Sequence, residues 1–421
     1  MSDKQTADPR ATALALLNGV SEDGRLLSEL APRLAPLAPA DRARAQRLAT
    51  ATLRARDRID RMLRPFLRRV PPGPVMNALR LGTLELVEGA PAHGVVNAYV
   101  ALVRADPRHG KLGGLVNAVL RQADGITDTW GKRPVPMLPA WLRKPLIAAW
   151  GNSVVAGMEK AHFAGAPLDL TAKGDPVAVA EATGGMLLPT GSVRLAEAGQ
   201  VSALPGFAEG AWWVQDAAAA MPVRLLGDVA GLSALDLCAA PGGKTLQLAA
   251  AGASVTAVDL SEARMARVAE NLSRTGLAAE TRVDDAFAVT GQWDIVVLDA
   301  PCSATGTIRR HPDLPWAKDG SDFGALIEQQ ARMIDHALGL VVPGGRLLYC
   351  TCSLLPDEGE VQVEEALGRH AGLAVDSAAL DRPGVVPGWI SAEGGLRLRP
   401  DLWPAQGGMD GFYMAVLRKP A

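Results

Sequence analysis

The sequence predicts three domains: an all-α bundle over residues 1–125, a small α+β subdomain over 126–210, and an α/β domain over 211–421. Three observations support this division. Apolar residues recur at helical spacing through the first third of the chain, and short alternating segments separated by Gly and Pro follow. From Trp212 onward, short apolar strands alternate with helices, which is typical of an α/β sheet. A length of 421 residues also favours two or three domains.

The composition is that of an ordinary globular protein, with 48% hydrophobic and 21% charged residues. No apolar run approaches the roughly 18 residues of a membrane span. The start, Met1 to Gln5, lacks the basic and then apolar layout of a secretory signal, so we expect a cytoplasmic protein. The four cysteines all lie in the C-terminal half: Cys238, Cys302, Cys350 and Cys352. Their position argues against a disulfide framework and leaves catalysis, metal binding or core packing open.

Residues 10–125 are predicted to be almost entirely helical. Helix breakers separate the apolar repeats at Gly24, at residues 36–39, 71–74 and 89–91, and at Asp106-Pro107. The spacing indicates five to seven short helices in a compact bundle. The helix that follows the 126–138 linker is predicted to begin near Pro139 and to end at Trp150.

Positive charge is concentrated between Asp41 and Val70, although the net charge of the whole chain is only -2. This interval contains no lysine and ten arginines: Arg42, Arg44, Arg47, Arg54, Arg56, Arg58, Arg61, Arg64, Arg68 and Arg69. An arginine-rich helical face suits phosphate, because the guanidinium group binds phosphate through two parallel hydrogen bonds. A solvated helix surface explains the same run equally well, so the charge pattern alone leaves both interpretations open.

The C-terminal domain is predicted to contain a parallel sheet with helices on both faces. Strands are predicted at 234–237, 254–259, 280–283, 294–299 and 346–351, and helices at 217–226, 245–251, 262–275, 323–340 and 358–370. The strands are short, continuous and apolar, as in buried parallel sheets. Ligands of such sheets bind outside the carboxyl ends of the strands, so the residues that follow each strand are the candidates for a functional site.

A glycine-rich turn, residues 236–245, connects the first of these strands to a helix, whose free N–H groups can meet a polar ligand. A phosphate-binding P-loop is excluded because Cys238 stands where its first glycine is required. The segment from Cys238 to Gly243 does not supply a dinucleotide-binding Gly-x-Gly-x-x-Gly pattern either. The remaining candidate is a methyl donor with ribose hydroxyls, an adenine and an amino-acid tail but no phosphate.

Acidic residues follow the next three strands: Asp259, the pair Asp284-Asp285, and Asp299. An acid after the second strand is the usual partner of a ribose. A single acid at this position is often only a helix cap, but capping does not easily explain acids at three successive strand ends. The acids therefore favour a nucleotide-like ligand at this edge of the sheet.

Cys302 and Cys352 follow the fourth and fifth strands, so we expect both at the same edge as the glycine-rich turn. A thiolate adds readily to an electron-poor ring carbon. Zinc would require three or four ligands in matched pairs, and no Cys-x-x-Cys or histidine pair accompanies these cysteines. Catalysis is therefore favoured over metal binding, and Cys238 and Cys350 are interpreted as core residues.

These stretches resemble the RsmB/Sun-type RNA (cytosine-5) methyltransferases, the bacterial branch of the Nop2/Sun family. The matching stretches are 236–245, 258–261, 298–313, 351–353 and 410–413. Residues 77–86, 95–100 and 114–121 resemble the NusB-type RNA-binding helical domain, which favours RNA binding for the first third of the chain. The resemblance implies a Rossmann-like class I methyltransferase domain. It also implies methyl transfer from S-adenosylmethionine to C5 of a cytosine in RNA, with small-subunit 16S rRNA as the expected substrate.

The resemblance also implies roles for individual residues. Cys352 would add to C6 of the cytosine, and Cys302 would help to complete the reaction and release the RNA. A neutral Asp299 would hydrogen-bond the base, and Lys244 would orient it or lower the pKa of a thiol. The residues implied to hold the cofactor are Cys238, Ala239, Ala240, Pro241, Gly242, Gly243, Lys244, Asp259, Asp285 and Asp299. Asp285 is preferred to Asp284 because the small Ala286 follows it.

The RNA itself is expected to be an unfolded or loop segment, because the target base must be unstacked to reach a thiol. Arg309, Arg310 and His311 would hold its backbone, and the protein is expected to act as a monomer without a metal or a membrane. Three alternatives remain. A DNA cytosine-5 methyltransferase would use Cys302, within Pro-Cys, as its nucleophile; tRNA could replace rRNA; and a non-catalytic RNA-binding or ribosome-assembly factor could retain the fold as a scaffold.

Overall fold

The computed structural model describes residues 8–196 and 199–421. Met1 to Gln5, on which the cytoplasmic expectation depends, lie outside the described residues. Within the described ranges, no helix combines the length and the apolar character that crossing a membrane requires. The chain forms two compact units. The helical unit contains residues up to Ala164 and the inserted segment Ile308–Gly320, and the α/β unit contains Gly165–Thr307 and Ser321–Ala421.

The helices are α1 (Pro9–Ser21), α2 (Pro39–Leu63), α3 (Gly73–Val87), α4 (Ala92–Ala105), α5 (Gly113–Asp124), α6 (Ala140–Trp150), α7 (Asn152–Ala164), α8 (Pro176–Thr183), α9 (Ala217–Leu225), α10 (Gly243–Ala250), α11 (Glu262–Thr275), α12 (Leu314–Ala317), α13 (Phe323–Gly339) and α14 (Glu360–Arg369). The strands are β1 (Leu168–Ala172), β2 (Met186–Leu187), β3 (Val193–Leu195), β4 (Trp212–Val214), β5 (Ser233–Leu237), β6 (Ser254–Asp259), β7 (Glu280–Val283), β8 (Trp293–Asp299), β9 (Val341–Thr351), β10 (Ala374–Val375), β11 (Leu396–Leu398) and β12 (Phe412–Arg418).

The helical unit has a core of leucine, valine and alanine side chains from α1 to α5. The apolar repeats at 48–53 and 59–63 lie on the single long helix α2, because no Gly or Pro interrupts the chain between them. Leu26 to Leu30, which carry apolar residues at helical spacing, instead form a series of turns that leads into a 3-10 helix at Ala31–Leu34. Pro32 and Pro36, close by, are incompatible with a continued α-helix.

The boundaries between the units differ from those predicted at 125/126 and 210/211. Residues 126–164 belong to the helical unit because the linker before α6 is bonded to α2. Asp57 accepts a hydrogen bond from the Met137 N–H at 2.8 Å, and Arg61 donates to the Val135 carbonyl at 2.7 Å. Residues 165–210 instead belong to the α/β unit.

Residues 165–210 belong to the α/β unit because they contain strands of a small antiparallel sheet of order β2-β3-β1-β4 that is bonded to this unit. The buried side chains of Arg194 on β3 and Asp169 on β1 form two hydrogen bonds of 2.7 Å. Arg194 also donates to the carbonyls of Gln406 and Gly408, and Asp169 accepts from the N–H of Ala217. These bonds attach the small sheet to α9 and to the segment that precedes β12.

The large sheet of the α/β unit has the order β10-β12-β9-β8-β5-β6-β7, and β11 pairs with β12. Strands β5 to β9 pair in parallel, which confirms the predicted α/β fold with the carboxyl ends of these strands at one edge. The predicted bounds of β6 and β7 are correct. The sheet is mixed rather than wholly parallel, because β12 pairs antiparallel with β9.

Candidate active site

The glycine-rich turn lies at the carboxyl end of β5, as predicted, and leads into α10. Gly242 caps the helix with φ 103°, a conformation that favours glycine. A Cβ on Gly243 would lie 3.0 Å from Nε2 of Gln215, so the backbone is closely packed on this side as well. The turn therefore requires both glycines in order to present the N–H groups of the helix start.

Asp259, at the end of β6, is buried beside this turn. Its carboxylate accepts hydrogen bonds from the Ala240 N–H at 3.1 Å and the Ser261 N–H at 3.0 Å. Arg264 also lies 3.5 Å from Oδ2, and a carboxylate has about four acceptor positions, so Asp259 retains an acceptor position for a hydroxyl group of a ribose. The acceptor carboxylate of Asp259 beside the glycine-rich turn therefore fits a nucleoside ligand.

Asp284 and Asp285 are both exposed at the end of β7. Asp285 caps a 3-10 turn by accepting from the Phe287 N–H at 3.0 Å, and Asp284 accepts from the Asp285 N–H at 2.8 Å. Each side chain thus has a local role in the turn. The preference for Asp285 as a cofactor ligand stays a prediction.

The buried Lys244 and the half-buried Asp299 form an ion pair in which the Lys244 Nζ lies 2.7 Å from Asp299 Oδ2. The Lys244 Nζ is also 5.1 Å from the centre of the Phe412 ring. Burial lowers the pKa of Lys244, but Asp299, Cys350 and Asp236 together outweigh burial, and the net pKa is raised. Asp299 therefore accepts a hydrogen bond from Lys244, and its predicted role towards the base stays a prediction.

Asp236, within β5, has a completely buried side chain that sequence reasoning did not single out. Its Oδ2 accepts a hydrogen bond of 2.6 Å from the Thr245 hydroxyl, whereas its Oδ1 has no partner among the described residues. Burial raises the pKa of Asp236 to about 7. An acid inside an otherwise apolar strand was the signal in the sequence.

Cys302 and Cys352 come together, as predicted, with their sulfur atoms 3.5 Å apart. The hydrogen bond with Cys352 and then burial raise the pKa of Cys302 well above its usual value. Either sulfur can donate the hydrogen bond between them, so the assignment of Cys352 as the nucleophile stays a prediction.

The other two cysteines occupy different surroundings. Cys350 is fully buried within a hydrophobic cluster, and burial raises its pKa well above the usual value. Cys238 is half-buried in the glycine-rich turn with φ 59°, and burial raises its pKa to about 12. Neither environment favours a thiolate. Among the described residues, no three His, Cys, Asp or Glu side chains are grouped so that they could hold a metal ion.

Arg309 was predicted to hold RNA, but its side chain is 0% exposed. It belongs to the inserted segment that packs within the helical unit, where its carbonyl accepts a hydrogen bond of 3.0 Å from Arg54. Because the Arg309 side chain is buried, the prediction that it contacts RNA is wrong. Arg310 is half-buried and His311 is exposed.

The ten arginines between Asp41 and Val70 also divide into side chains that face inwards and side chains that are exposed. Arg56 and Arg58 face inwards, with their guanidinium groups over the rings of Trp316 and Trp130, and Arg61 is bonded to Asp57. The exposed members are Arg42, Arg44, Arg47, Arg64, Arg68 and Arg69. Any phosphate-binding surface on this helix is consequently narrower than the sequence predicts.

Comparisons with known proteins agree with this geometry. Residues 225–418 match the family model described as 16S rRNA methyltransferase RsmB/F, and residues 7–124 match the NusB family. The ribosomal RNA small subunit methyltransferase B of Erwinia tasmaniensis is 34% identical over 452 residues, covering 99% of this chain and 100% of the relative. The enzyme of the same name from Xanthomonas campestris pv. campestris is 36% identical, covering 97% of each chain.

The chain belongs to the RsmB family of methyltransferases. The crystal structure of PH0851 shares the fold, with a TM-score of 0.73 and 20% identity over 99% of this chain and 100% of that one. Like other RsmB-family proteins, this enzyme uses S-adenosylmethionine as its methyl donor, and the acceptor capacity of Asp259 fits the ribose of that cofactor. The predicted helical NusB domain and Rossmann-like methyltransferase domain are both confirmed.

Proposed function

We propose that this enzyme transfers a methyl group to C5 of a cytosine in 16S rRNA, with Cys352 as the nucleophile and Cys302 as the residue that completes the reaction. The observation that carries the proposal is the pair of half-buried cysteines, 3.5 Å apart, at the edge of the sheet that holds the glycine-rich turn. Two thiols in contact suit a reaction in which a sulfur must first bond to the base and then leave it.

Cytosine C5 is a weak nucleophile until a thiolate adds to C6. The Cys352 sulfur forms a bond to C6, and the electron pair of the C5–C6 double bond moves onto C5 and into the ring. S-adenosylmethionine supplies an electrophilic methyl group to that carbon. Elimination then breaks two bonds at once: a base takes the C5 proton, the C–H electron pair restores the double bond, and the C6–S electron pair returns to Cys352.

Cys302 is the proposed partner of Cys352 in this release step. We propose that Cys302, once its proton has passed to solvent, takes the C5 proton and becomes a thiol again, while Cys352 leaves C6 as a thiolate. The hydrogen bond with Cys352 and burial raise the pKa of Cys302, so its thiolate is a strong base. Its sulfur lies within contact distance of the sulfur that must leave, so both bonds of the elimination are within reach of the pair.

The ion pair of Lys244 and Asp299 is proposed to hold the base. A carboxylate accepts a hydrogen bond from the exocyclic amine of cytosine, and an ammonium donates to N3 or O2. The cofactor is proposed to occupy the turn from Cys238 to Lys244, with Asp259, Asp285 and Asp299 beside it. Exposed arginines of the helical unit are proposed to bind RNA phosphates, and we expect a cytoplasmic monomer.

The test is methylation of protein-free 16S rRNA, and of tRNA as a competitor, with labelled S-adenosylmethionine, followed by nucleoside mass spectrometry. We expect 5-methylcytidine in 16S rRNA alone, and bisulfite sequencing would identify the nucleotide. Methylation of a ring nitrogen, of ribose or of tRNA alone would contradict the proposed reaction or substrate. Absence of S-adenosylmethionine binding in a calorimeter would instead favour the non-catalytic assembly factor.

A further inference from the structure

Glu358 is a completely buried carboxylate between β9 and α14, outside every motif discussed above. Four hydrogen-bond donors converge on it. The Ser303 N–H at 2.9 Å and the Gln330 amide at 3.0 Å donate to Oε1, while the hydroxyls of Ser303 and Ser353, both at 2.5 Å, donate to Oε2. A carboxylate has about four acceptor positions, so this set occupies all of them.

The two serines that Glu358 binds directly follow the two cysteines in the chain. Ser303 follows Cys302 on the loop after β8, and Ser353 follows Cys352 on the loop after β9. The Glu358 side chain therefore bonds to both cysteine-bearing loops, in each case at the serine that directly follows the cysteine. None of its hydrogen bonds reaches a sulfur atom.

Glu358 is itself held in place. Its carbonyl accepts hydrogen bonds from the hydroxyls of Tyr349 at 2.8 Å and Thr351 at 3.1 Å, both on β9. The Ser353 carbonyl accepts from Arg397, which is paired in turn with Glu360. The carboxylate is thus a fixed point to which the two loops are attached, and side chains whose partners are fixed in this way hold reacting groups in a narrow range of positions.

We propose that Glu358 is a positioning residue of the methyltransferase reaction, which sets the separation of the Cys302 and Cys352 sulfurs by binding the serine after each. The proposal rests on the proposed function, because the separation of the two sulfurs matters only if both take part. Loss of the carboxylate would let the two loops move independently, without removing any group that touches RNA or cofactor.

The test uses Glu358→Gln, which preserves size and shape but removes the negative charge and part of the acceptor capacity. Glu364→Gln, the same change at an exposed position of α14, is the matched control. The first measurement is the rate at which diamide, a thiol oxidant, links Cys302 to Cys352 in the full-length protein without RNA, followed by peptide mass spectrometry. Divided by the rate at which iodoacetamide alkylates the same thiols, which corrects for the thiolate population, this rate reports the separation of the sulfurs and does not depend on the methylation chemistry.

We expect Glu358→Gln to slow formation of this disulfide about tenfold and to lower kcat by about 10- to 100-fold, since displacement by about 1 Å has effects of that size. The Kd for S-adenosylmethionine and the KM for RNA should stay unchanged, and Glu364→Gln should match the wild type throughout. The double variant Ser303→Ala, Ser353→Ala should reproduce both losses, and it serves as the test if Glu358→Gln does not fold.

Wild-type oxidation rates in either variant would overturn the proposal. Equal loss of cofactor binding and of kcat would also overturn it, because Glu358 would then stabilise the fold in general. Failure of the proposed function has a separate signature: Cys352→Ala would still form a covalent adduct with RNA, while the oxidation rates of the Glu358 variants would remain as expected.

Discussion

Replacement of Gly306 by Ala offers a strong steric test of how the cysteine loops are built. Gly306 lies on the loop after Cys302, and its N–H donates to the Cys352 carbonyl at 2.8 Å. Its own carbonyl accepts from the Gly411 N–H at 2.8 Å. A Cβ on Gly306 would lie 2.0 Å from the Gly411 carbonyl oxygen and 2.8 Å from that of Cys352. All the atoms that obstruct it are backbone atoms, so no side-chain rotation can relieve the overlap.

The size of the effect follows from this geometry. Relief of the overlap requires a backbone shift of about 1 Å, and overpacking of this kind costs about 1–3 kcal/mol. Loss of the two backbone hydrogen bonds adds about 0.5–1.5 kcal/mol each. We therefore expect the free energy of unfolding to fall by about 2–6 kcal/mol, which corresponds to a Tm lower by about 4–24 °C for a unit of this size.

The assay is thermal unfolding together with methylation of 16S rRNA, and methylation should fall about 100-fold because the Cys352 loop is displaced. Gly368→Ala on α14 is the control: a Cβ there meets nothing within 4 Å, and alanine favours the helix. A Gly306→Ala enzyme with wild-type Tm and methylation rate would refute the reasoning, because the two loops would then not depend on this backbone contact.

Three further predictions concern the α/β unit. Asp259→Ala should weaken S-adenosylmethionine binding about 10- to 100-fold in calorimetry, as expected for hydrogen bonds to a charged acceptor. Arg194→Met should lower the free energy of unfolding by about 3–5 kcal/mol in denaturant titration, because it leaves the buried Asp169 carboxylate unpaired. Asp236 binds a proton more tightly in the folded state, since burial raises its pKa to about 7. Its contribution to stability should therefore fall by up to about 1.4 kcal/mol per pH unit as the pH rises from about 4 to 7, and Asp236→Asn should abolish this slope.

Each of these predictions has its own control. Glu262→Ala, at an exposed position near Asp259, should leave cofactor affinity unchanged. An Asp169→Leu, Arg194→Met double variant should recover part of the lost stability, and failure to recover any would contradict the assigned ion pair. An unchanged pH slope in Asp236→Asn would assign the titration to another group.

The parts of the fold that depend on local pattern were predictable from the sequence. β6 and β7 have the predicted bounds because continuous apolar or extended segments are bounded by clear turn signals. The glycine-rich turn was recognisable from its two consecutive glycines. Gly242 has a positive φ, and Gly243 is closely packed against the Gln215 side chain. The meeting of Cys302 and Cys352 followed from parallel strands, whose carboxyl ends lie at one edge of a sheet.

The parts that depend on distant partners were not predictable. The sequence shows that Arg54 and Arg309 are charged, but not that the inserted segment packs against α2 and removes Arg309 from solvent. In the sequence, Glu358 resembles an ordinary acid at the start of a helix. Its four donors come from three separate segments, and the sequence does not show that these segments meet. β12 was missed as a strand because its partner, β9, lies about sixty residues earlier in the chain.

The most direct test of the assigned nucleophile is covalent trapping on 16S rRNA that contains 5-azacytosine, analysed by denaturing electrophoresis and peptide mass spectrometry. Release from this analogue is blocked, so the sulfur that attacks the base stays attached to it. We predict that Cys302→Ala forms the adduct through Cys352 and that Cys352→Ala forms none. An adduct in Cys352→Ala that disappears in Cys302→Ala would contradict the assignment and identify Cys302 as the nucleophile.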